Sequence, residues 1–143
     1  MKKLTEMRNR DLTEAARRCA QLARQRGQKL TLGELMAAAA ACRPKLHYIE
    51  YETASRRLKQ IERKGLEACV RPGPARQQWK ELAEQVAEAR AARRKLSFSQ
   101  ALTFVLHFRR PSRFYLTPAS VFKIIRPHFT SVLVEYNLKN HIS

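Results

Sequence analysis

Apolar residues recur at intervals of three and four along two stretches of the chain, the spacing that one buried face of an α-helix requires. The first stretch has them at positions 12, 15, 16, 19 and 22–23, and the second at 79, 82, 83, 86 and 89. Position 79 follows position 12 by 67 residues. The pattern therefore predicts two amphipathic helices at matching places in an internal repeat.

A second helix follows each of these, and both begin with the same capping motif. Thr31-Leu32-Gly33-Glu34 and Ser97-Phe98-Ser99-Gln100 both fit Ser/Thr-x-x-Glu/Gln. In this capping box the hydroxyl accepts from the amide of the third residue, whose side chain bonds back to the cap. Because the motif recurs at matching places, it supports both helix starts and the repeat.

The closest local match is a proline turn. Arg43-Pro44-Lys45-Leu46-His47-Tyr48-Ile49 aligns with Arg110-Pro111-Ser112-Arg113-Phe114-Tyr115-Leu116. Proline disfavours helical geometry in the residue before it, so each turn is expected to end the second helix of its half. We expect the aromatic and aliphatic residues behind the proline to pack into the core.

A third helix is predicted in each half. In the first half it runs from about Tyr51 to Lys64, with Gly65 as the residue that ends it. In the second half Thr117 is the expected N-cap and Pro118 the first helical residue. Proline at position 127 is expected to stop that helix.

The predicted fold class is all-α, a tandem duplication of a three-helix unit of helix-turn-helix type. The first unit spans residues 1–70, and residues 71–78 form a linker that begins Arg71-Pro72-Gly73-Pro74. The second unit spans residues 79–143 and includes a C-terminal tail. In that tail Ser131 favours a short closing helix, while Val132-Leu133-Val134 would suit a strand.

Charge is the strongest functional signal in the composition. The chain has 29 Lys and Arg against 12 Asp and Glu, a formal net charge of +17. Such a surplus favours a polyanionic partner: DNA, RNA or an anionic membrane surface. The alternative is a solvated basic surface without a ligand. No apolar run approaches the length of a membrane span, and we expect no membrane partner.

The cysteines argue against a disulfide framework or a zinc site. Cys19, Cys42 and Cys69 are odd in number, and no two have Cys-x-x-Cys spacing. Cys19 and Cys42 fall on apolar helix faces, where cysteine acts as a small hydrophobe. This usage fits a reducing compartment, and we expect a cytoplasmic protein.

The sequence also argues against an enzyme. It has no glycine-rich phosphate loop and no nucleophile elbow, and its histidines share no common spacing. Glu81, Glu84 and Glu88 share a helix face and would suit a metal, but such a row is more typical of a solvated surface. His47 stands where the repeat has Phe114, which favours packing over ligation. We therefore expect no catalytic residue, no metal and no cofactor.

Basic residues are the candidate binding residues. From Ala89 to Val134 the chain has no Asp or Glu, so this segment has no carboxylate of its own to neutralise its cations. On the third helix of the first half, Arg56, Lys59, Gln60 and Arg63 form an outward stripe suited to a groove, and Gln60 is a candidate to contact an adenine edge. Ordinary exposed helix residues are the alternative explanation. The predicted nucleic-acid-binding residues are Arg43, Lys45, Arg56, Lys59, Gln60, Arg63, Arg93, Arg94, Lys95, Arg109, Arg110, Arg113, Lys123 and Arg126.

The aromatic residues favour duplex DNA over single-stranded RNA. Stacking on unpaired bases needs exposed aromatic rings. The pattern places most rings on buried faces or in turns: Trp79, Phe98, Phe104, Phe108, Phe114 and Phe122. Tyr48 and Tyr115 lie in the two proline turns, where a core position is favoured over exposure.

The segment from Arg110 to Thr117, after a capped helix, resembles small uncharacterised bacterial proteins with a Pro-Arg-Phe-Tyr-Val-Ser-like motif. This resemblance covers about one half of the repeat and implies no catalytic residues. The order of elements also resembles helix-turn-helix regulators. The turn from Arg43 to Glu50 is longer than the three or four residues typical of that motif, so the usual docking of its recognition helix does not follow.

The interpretation is a non-enzymatic protein that binds nucleic acid, with duplex DNA preferred, as a regulator or nucleoid-associated factor. Two alternatives stay open. One is a helical adaptor or structural protein, with an acidic protein partner or a homodimer; the other is a binder of structured RNA.

This interpretation predicts that affinity for a random DNA duplex of about 30 base pairs falls steeply between low and moderate salt, because bound cations release counterions. Replacing Arg109, Arg110 and Arg113 with Ala should weaken binding in a fluorescence anisotropy titration. An unchanged affinity would remove the second proline turn from the interface.

Overall fold

Helices make up all the regular secondary structure of the described part of the chain. The computed structural model describes residues 2–128, and the predicted all-α class is confirmed for them. The prediction for the tail falls on residues 129–143, outside the described residues. The helices are α1 (Lys2–Gln25), α2 (Leu32–Ala41), α3 (Tyr51–Lys64), α4 (Leu66–Cys69), α5 (Pro74–Ala92), α6 (Phe98–Phe108) and α7 (Pro118–Ile125), followed by a short 3₁₀ helix (Arg126–His128).

Both predicted capping boxes are confirmed. The Thr31 hydroxyl accepts from the amide of Glu34, and the Glu34 carboxylate accepts from the amide of Thr31 at 2.8 Å. Ser97 and Gln100 make the same reciprocal pair at the start of α6. These bonds satisfy amides that have no partner within the helix, and so they fix where α2 and α6 begin.

The third helices also begin and end as predicted. Helix α3 spans Tyr51–Lys64, and Gly65 follows it with a positive φ of 89°. Glycine tolerates this backbone conformation because it has no Cβ. Thr117 caps α7 by accepting from the amide of Ser120, and Pro118 opens the helix. Helix α7 ends at Ile125, before the proline at position 127.

The described chain divides into two compact units that are interleaved along the sequence. Unit A contains residues 2–5 and Pro44–Pro111, and therefore holds α3, α4, α5 and α6. Unit B contains Glu6–Arg43 and residues 112–128, and therefore holds α2, α7 and nearly all of α1. The predicted units, 1–70 and 79–143, differ from these compact units, because α3 lies with α5 and α6 whereas α7 lies with α2.

The core of unit A is aliphatic and draws on three helices. Its buried residues lie on α3, α5 and α6, and Leu82, Leu102 and Val105 have no exposed surface. Trp79 and Phe98 pack against this cluster while remaining partly exposed. Burial of apolar surface is the main stabilising contribution, so the apolar face of α3 packs into one core with the apolar faces of α5 and α6. The buried cluster consists of Ala54, Leu58, Leu82, Val86, Ala89, Ala101, Leu102 and Val105.

The core of unit B combines many alanines with a few larger side chains. Helix α1 contributes one leucine, Leu12, and otherwise mostly alanines to the buried set. Helix α2 packs against α7, where Val121 and Ile125 are buried. The amide of Phe114 also donates to the carbonyl of Ala40 at 2.9 Å and ties the second proline turn to α2. Alanine buries little area, so the larger residues Leu12, Val121 and Ile125 contribute much of the apolar burial in this unit.

The predicted linker is largely ordered within unit A. Residues 74–78 belong to α5, and the prediction of a linker over 71–78 is wrong for them. Arg76 donates to the carbonyl of Val70 through both Nε (2.9 Å) and Nη2 (2.7 Å), and Arg57 donates to the carbonyl of Cys69 at 2.7 Å. Pro74 does not break a helix here because it lies at the first helical positions, where its missing amide costs no bond.

The proline turns explain the interleaving. The boundary between units falls between Arg43 and Pro44, and again between Pro111 and Ser112. Residues 43–50 are non-helical, so α2 and α3 are separated by a longer connection than a helix-turn-helix allows. At each turn the chain leaves the unit of its second helix.

The interleaved arrangement predicts how fragments behave. A fragment of residues 44–111 retains the whole buried cluster of unit A, so it should be helical and unfold cooperatively in a circular dichroism melt. A fragment of residues 1–70 separates α3 from α5 and α6, and α2 from α7, so it should lose most of its helix signal. Cooperative unfolding of the 1–70 fragment alone would contradict the arrangement.

Candidate nucleic-acid interface

The predicted stripe on α3 is exposed for the most part. Arg56, Lys59 and Arg63 are exposed, whereas Gln60 is partly buried. The Lys59 ammonium lies 5.6 Å from the centre of the Phe98 ring on α6, a distance suited to a cation–π contact. This side of α3 thus presents positive charge to solvent, while the half-buried Gln60 is a weaker candidate for contacting a base edge.

Arg57 has a different role from its neighbours on α3. Besides donating to the carbonyl of Cys69, its guanidinium carbon lies 5.9 Å from the centre of the Trp79 ring. A guanidinium that stacks on a ring and donates to a carbonyl holds its own fold together. Arg57 therefore positions the end of α4 against α5.

The densest group of exposed cations in unit A lies where α5 ends. Arg90, Arg93, Arg94 and Lys95 are all exposed in the last turn of α5 and the loop before α6. The Arg93 guanidinium carbon lies 5.6 Å from the centre of the Phe104 ring. The last carbonyls of a helix carry partial negative charge, which makes its C-terminus a favourable place for cations. We call these four residues the α5-end cluster.

Two arginines at the start of the second proline turn, Arg109 and Arg110, are engaged within unit A. Arg109 Nη2 lies 3.2 Å from Glu88 Oε2 on α5. Arg110 Nε donates to the carbonyl of Pro44 at 2.7 Å. Both help to hold the turn, so their replacement would disturb the fold as well as remove charge.

The remaining predicted residues lie outside these groups. Lys45 is exposed in unit A. The members in unit B are exposed as well: Arg43, Arg113, Lys123 and Arg126. Each unit therefore carries cations of its own.

A buried polar bridge, which sequence reasoning missed, fixes the first proline turn on α5. His47 Nε2 lies 2.6 Å from Gln85 Oε1, and Gln85 Nε2 donates to the carbonyl of Arg110 at 2.9 Å. Because the amide nitrogen of Gln85 is used as a donor, its oxygen accepts and His47 Nε2 donates. The expected packing role of His47 is confirmed, since only 2% of its surface is exposed. The signal in the sequence was Gln85 itself, a polar residue among the apolar positions of the buried face of α5, because a buried amide requires hydrogen-bond partners.

The environment of His47 keeps its imidazole neutral. Burial lowers the pKa of His47 from its ordinary value of 6.5; Arg109 acts in the same direction, against the bond to Gln85 and the charge of Glu81. Its Nδ1 is buried and has no hydrogen-bond partner among the described residues. A proton on Nδ1 would be a buried donor without an acceptor, which is costly.

The thiols of Cys19 and Cys42 lie close together in unit B. Cys19 Sγ on α1 lies 3.6 Å from Cys42 Sγ, and Cys42 Sγ donates to the carbonyl of Ala38 at 3.3 Å. Burial first, and then the neighbouring Cys42, raises the pKa of Cys19 to about 12. The Cys19 thiol is therefore protonated at neutral pH and is a poor nucleophile.

The expected burial of the aromatic rings is only partly correct. Phe114 is buried, and Trp79, Phe98 and Phe104 are partly buried. Phe108, however, is 73% exposed, and Phe122 is 38% exposed. The buried stripe of α6 ends at Val105, and the helix stops at Phe108, so this ring lies beyond the core although its spacing fits the stripe. The tyrosines of the two turns, Tyr48 and Tyr115, are partly buried.

Comparisons with family models, curated proteins and solved structures give no match for this chain. Over residues 2–128, no three side chains of His, Cys, Asp or Glu converge in a way that suits a metal ion. Within the same range, every helix is too short or too polar to cross a lipid bilayer.

The His47 bridge predicts a specific loss of stability in acid. Because the pKa of His47 is lowered in the folded chain, the unfolded chain binds a proton at this position more readily below pH 6.5. The free energy of unfolding therefore falls as pH drops below 6.5, by at most about 1.4 kcal/mol per pH unit from this group. In His47→Gln, which keeps a donor for Gln85 and cannot titrate in this range, urea unfolding should show a smaller fall.

The matched control is His107→Gln. His107 is exposed and bonds to Thr103 within its own helix. This variant should keep the acid sensitivity of the parent chain. If His47→Gln also kept it, the neutral bridge would be the wrong assignment.

Proposed function

We propose that the chain is a non-enzymatic protein that binds nucleic acid, with duplex DNA as its preferred ligand. The observation that carries the proposal is the α5-end cluster, four exposed cations within six residues. It lies at the start of a segment, residues 89–134, that contains no Asp or Glu. A phosphate backbone supplies the anions that the segment itself lacks, and binding gains free energy from the release of counterions.

The stripe on α3 supports the same ligand. Arg56, Lys59 and Arg63 recur at intervals of three and four, so their side chains project from one side of α3. An α-helix fits the major groove of B-form DNA, and a row of cations along it would contact phosphates on the groove walls. Such contacts orient the protein without selecting a sequence.

We further propose that the two units descend from one duplicated three-helix unit whose third helices have exchanged partners. Burial at equivalent positions supports this. Pro44 and Pro111 are both buried, as are His47 and Phe114. Ala54 and Leu58 on α3 correspond to Val121 and Ile125 on α7, and all four are buried. Two similar units on one chain would raise affinity for a long polyanion through effective concentration.

The proposal predicts that removing the exposed cations of the α5-end cluster lowers both affinity and salt dependence. Arg93 is left in place because it stacks on Phe104. In the triple variant Arg90→Gln, Arg94→Gln and Lys95→Gln, the slope of log affinity against log salt should become shallower by roughly 0.9 for each phosphate that the variant no longer neutralises. Fluorescence anisotropy with a random duplex over a salt series measures this slope.

A control variant with the same change of net charge separates a site from diffuse attraction. Arg24→Gln, Arg26→Gln and Lys29→Gln removes three exposed cations near the end of α1, outside the predicted interface. It should change the slope less than the cluster variant does. Equal slopes in the two variants would rule out the cluster as a site, and preferential competition by a folded RNA or an acidic protein would favour those partners over duplex DNA.

A further inference from the structure

The end of α6 carries an aromatic surface that the duplex-binding proposal does not use. Phe108 is 73% exposed, the highest value among the large hydrophobic residues that are exposed in the described chain. Its ring centre lies 5.3 Å from that of Phe104, with the planes tilted by 37°. The centre of the His107 ring lies 6.3 Å from that of Phe108. Two neighbouring rings thus lie close to Phe108, which is the ring most exposed to solvent.

One cation covers a ring of this aromatic surface, and others lie next to it in the sequence. Arg93 covers the Phe104 ring, and the other members of the α5-end cluster are its neighbours in sequence. Arg109 follows Phe108 directly in the chain and pairs with Glu88, an exposed carboxylate. One carboxylate against these arginines leaves a net positive surface beside an exposed ring.

An exposed ring whose neighbouring ring is covered by a guanidinium group matches one ligand chemistry well. An unpaired nucleobase offers a flat π-face for the ring and a phosphate on each side for the cations. In a blunt duplex the interior bases are stacked on each other and offer no free face to Phe108. The ring therefore adds affinity mainly where a strand is unpaired.

A protein partner fits this surface less well. A stable protein interface buries roughly 1,000 Å² or more and excludes charge from its centre. Here a single exposed ring lies next to Phe104, which Arg93 covers. A nucleic-acid strand uses both the ring and the charges.

We propose that Phe108 stacks on an unpaired base, next to the rings of Phe104 and His107 and with Arg93 and Arg109 as the cations closest to it on the described helices or in sequence. We call these five residues the stacking patch. The inference rests on the proposed function and sharpens it: the preferred ligand is a duplex that continues into a single strand. The α5-end cluster then contacts phosphates, and the patch takes the first unpaired base.

The test compares three DNA ligands by fluorescence anisotropy with the full chain. The first is a blunt duplex, the second has the same duplex with an overhang of about six thymidines, and the third has an overhang of the same length built from abasic sites. The abasic overhang keeps the phosphates and removes the bases, so the affinity ratio between the second and third ligands isolates stacking. We expect a ratio of roughly tenfold for the parent chain.

Three substitutions at position 108 test the assignment. Phe108→Ala and Phe108→Leu should bring the ratio close to one, whereas Phe108→Trp should keep or raise it. Leucine is the matched control because it is apolar and of similar bulk but has no π-face. Thermal melts should show little change, since the ring lies mostly in solvent.

Two results would overturn the inference: equal affinity of the parent chain for the thymidine and abasic overhangs, or a ratio that Phe108→Leu leaves intact. If sedimentation showed that Phe108→Ala dissolves a dimer of the parent chain, the patch would be a self-association surface instead. The blunt duplex reports separately on the proposed function. If the chain binds the blunt duplex but has equal affinity for the thymidine and abasic overhangs, only the stacking proposal is refuted. If it does not bind the blunt duplex but still prefers the thymidine overhang, only the duplex proposal is refuted.

Discussion

The two Arg-Pro turns are the constraint on which the rest of the structure depends. Pro44 and Pro111 are both buried, and at each of them the chain passes from one compact unit into the other. Proline ends the preceding helix because helical geometry is disfavoured just before it. The bridge from His47 through Gln85 to the carbonyl of Arg110 then ties both turns to α5 within unit A. A helix that follows such a turn packs against whichever apolar face the turn directs it to.

Arginine has two separate uses in this molecule. Arg57, Arg76 and Arg110 donate to backbone carbonyls that end helices or close turns, and such bonds stabilise the fold. The members of the α5-end cluster are exposed to solvent, and within residues 2–128 Arg93 is the one among them that stacks on a ring. The net charge of +17 therefore overstates the charge available for a ligand. What distinguishes the candidate interface is local: exposed cations, in a segment without carboxylates, beside exposed rings.

Helix limits followed from short-range chemistry, whereas helix partners did not. Thr31, Ser97 and Thr117 identify helix starts because a hydroxyl and an amide three residues away suffice to make the bond. Gly65 identifies the end of α3 for the same local reason. Ala54 and Leu58 mark the face of α3 that is buried, but an apolar stripe is equally satisfied by any apolar groove of suitable shape. Their pairing with α5 and α6 could not be derived from periodicity.

The sequence by itself determined the all-α class, where α2, α3, α6 and α7 begin, most of the buried positions on the longer helices and the surplus of positive charge, since these follow from composition and from neighbours along the chain. Only the tertiary structure decided that α3 belongs with α5 and α6, that Gln85 serves His47, and that Phe108 lies in solvent despite its place in the apolar pattern. These depend on residues far apart in sequence, and on where the partner helices end. The cations of the candidate site could be identified from the sequence, whereas the exposure of Phe108 was visible only in the folded structure.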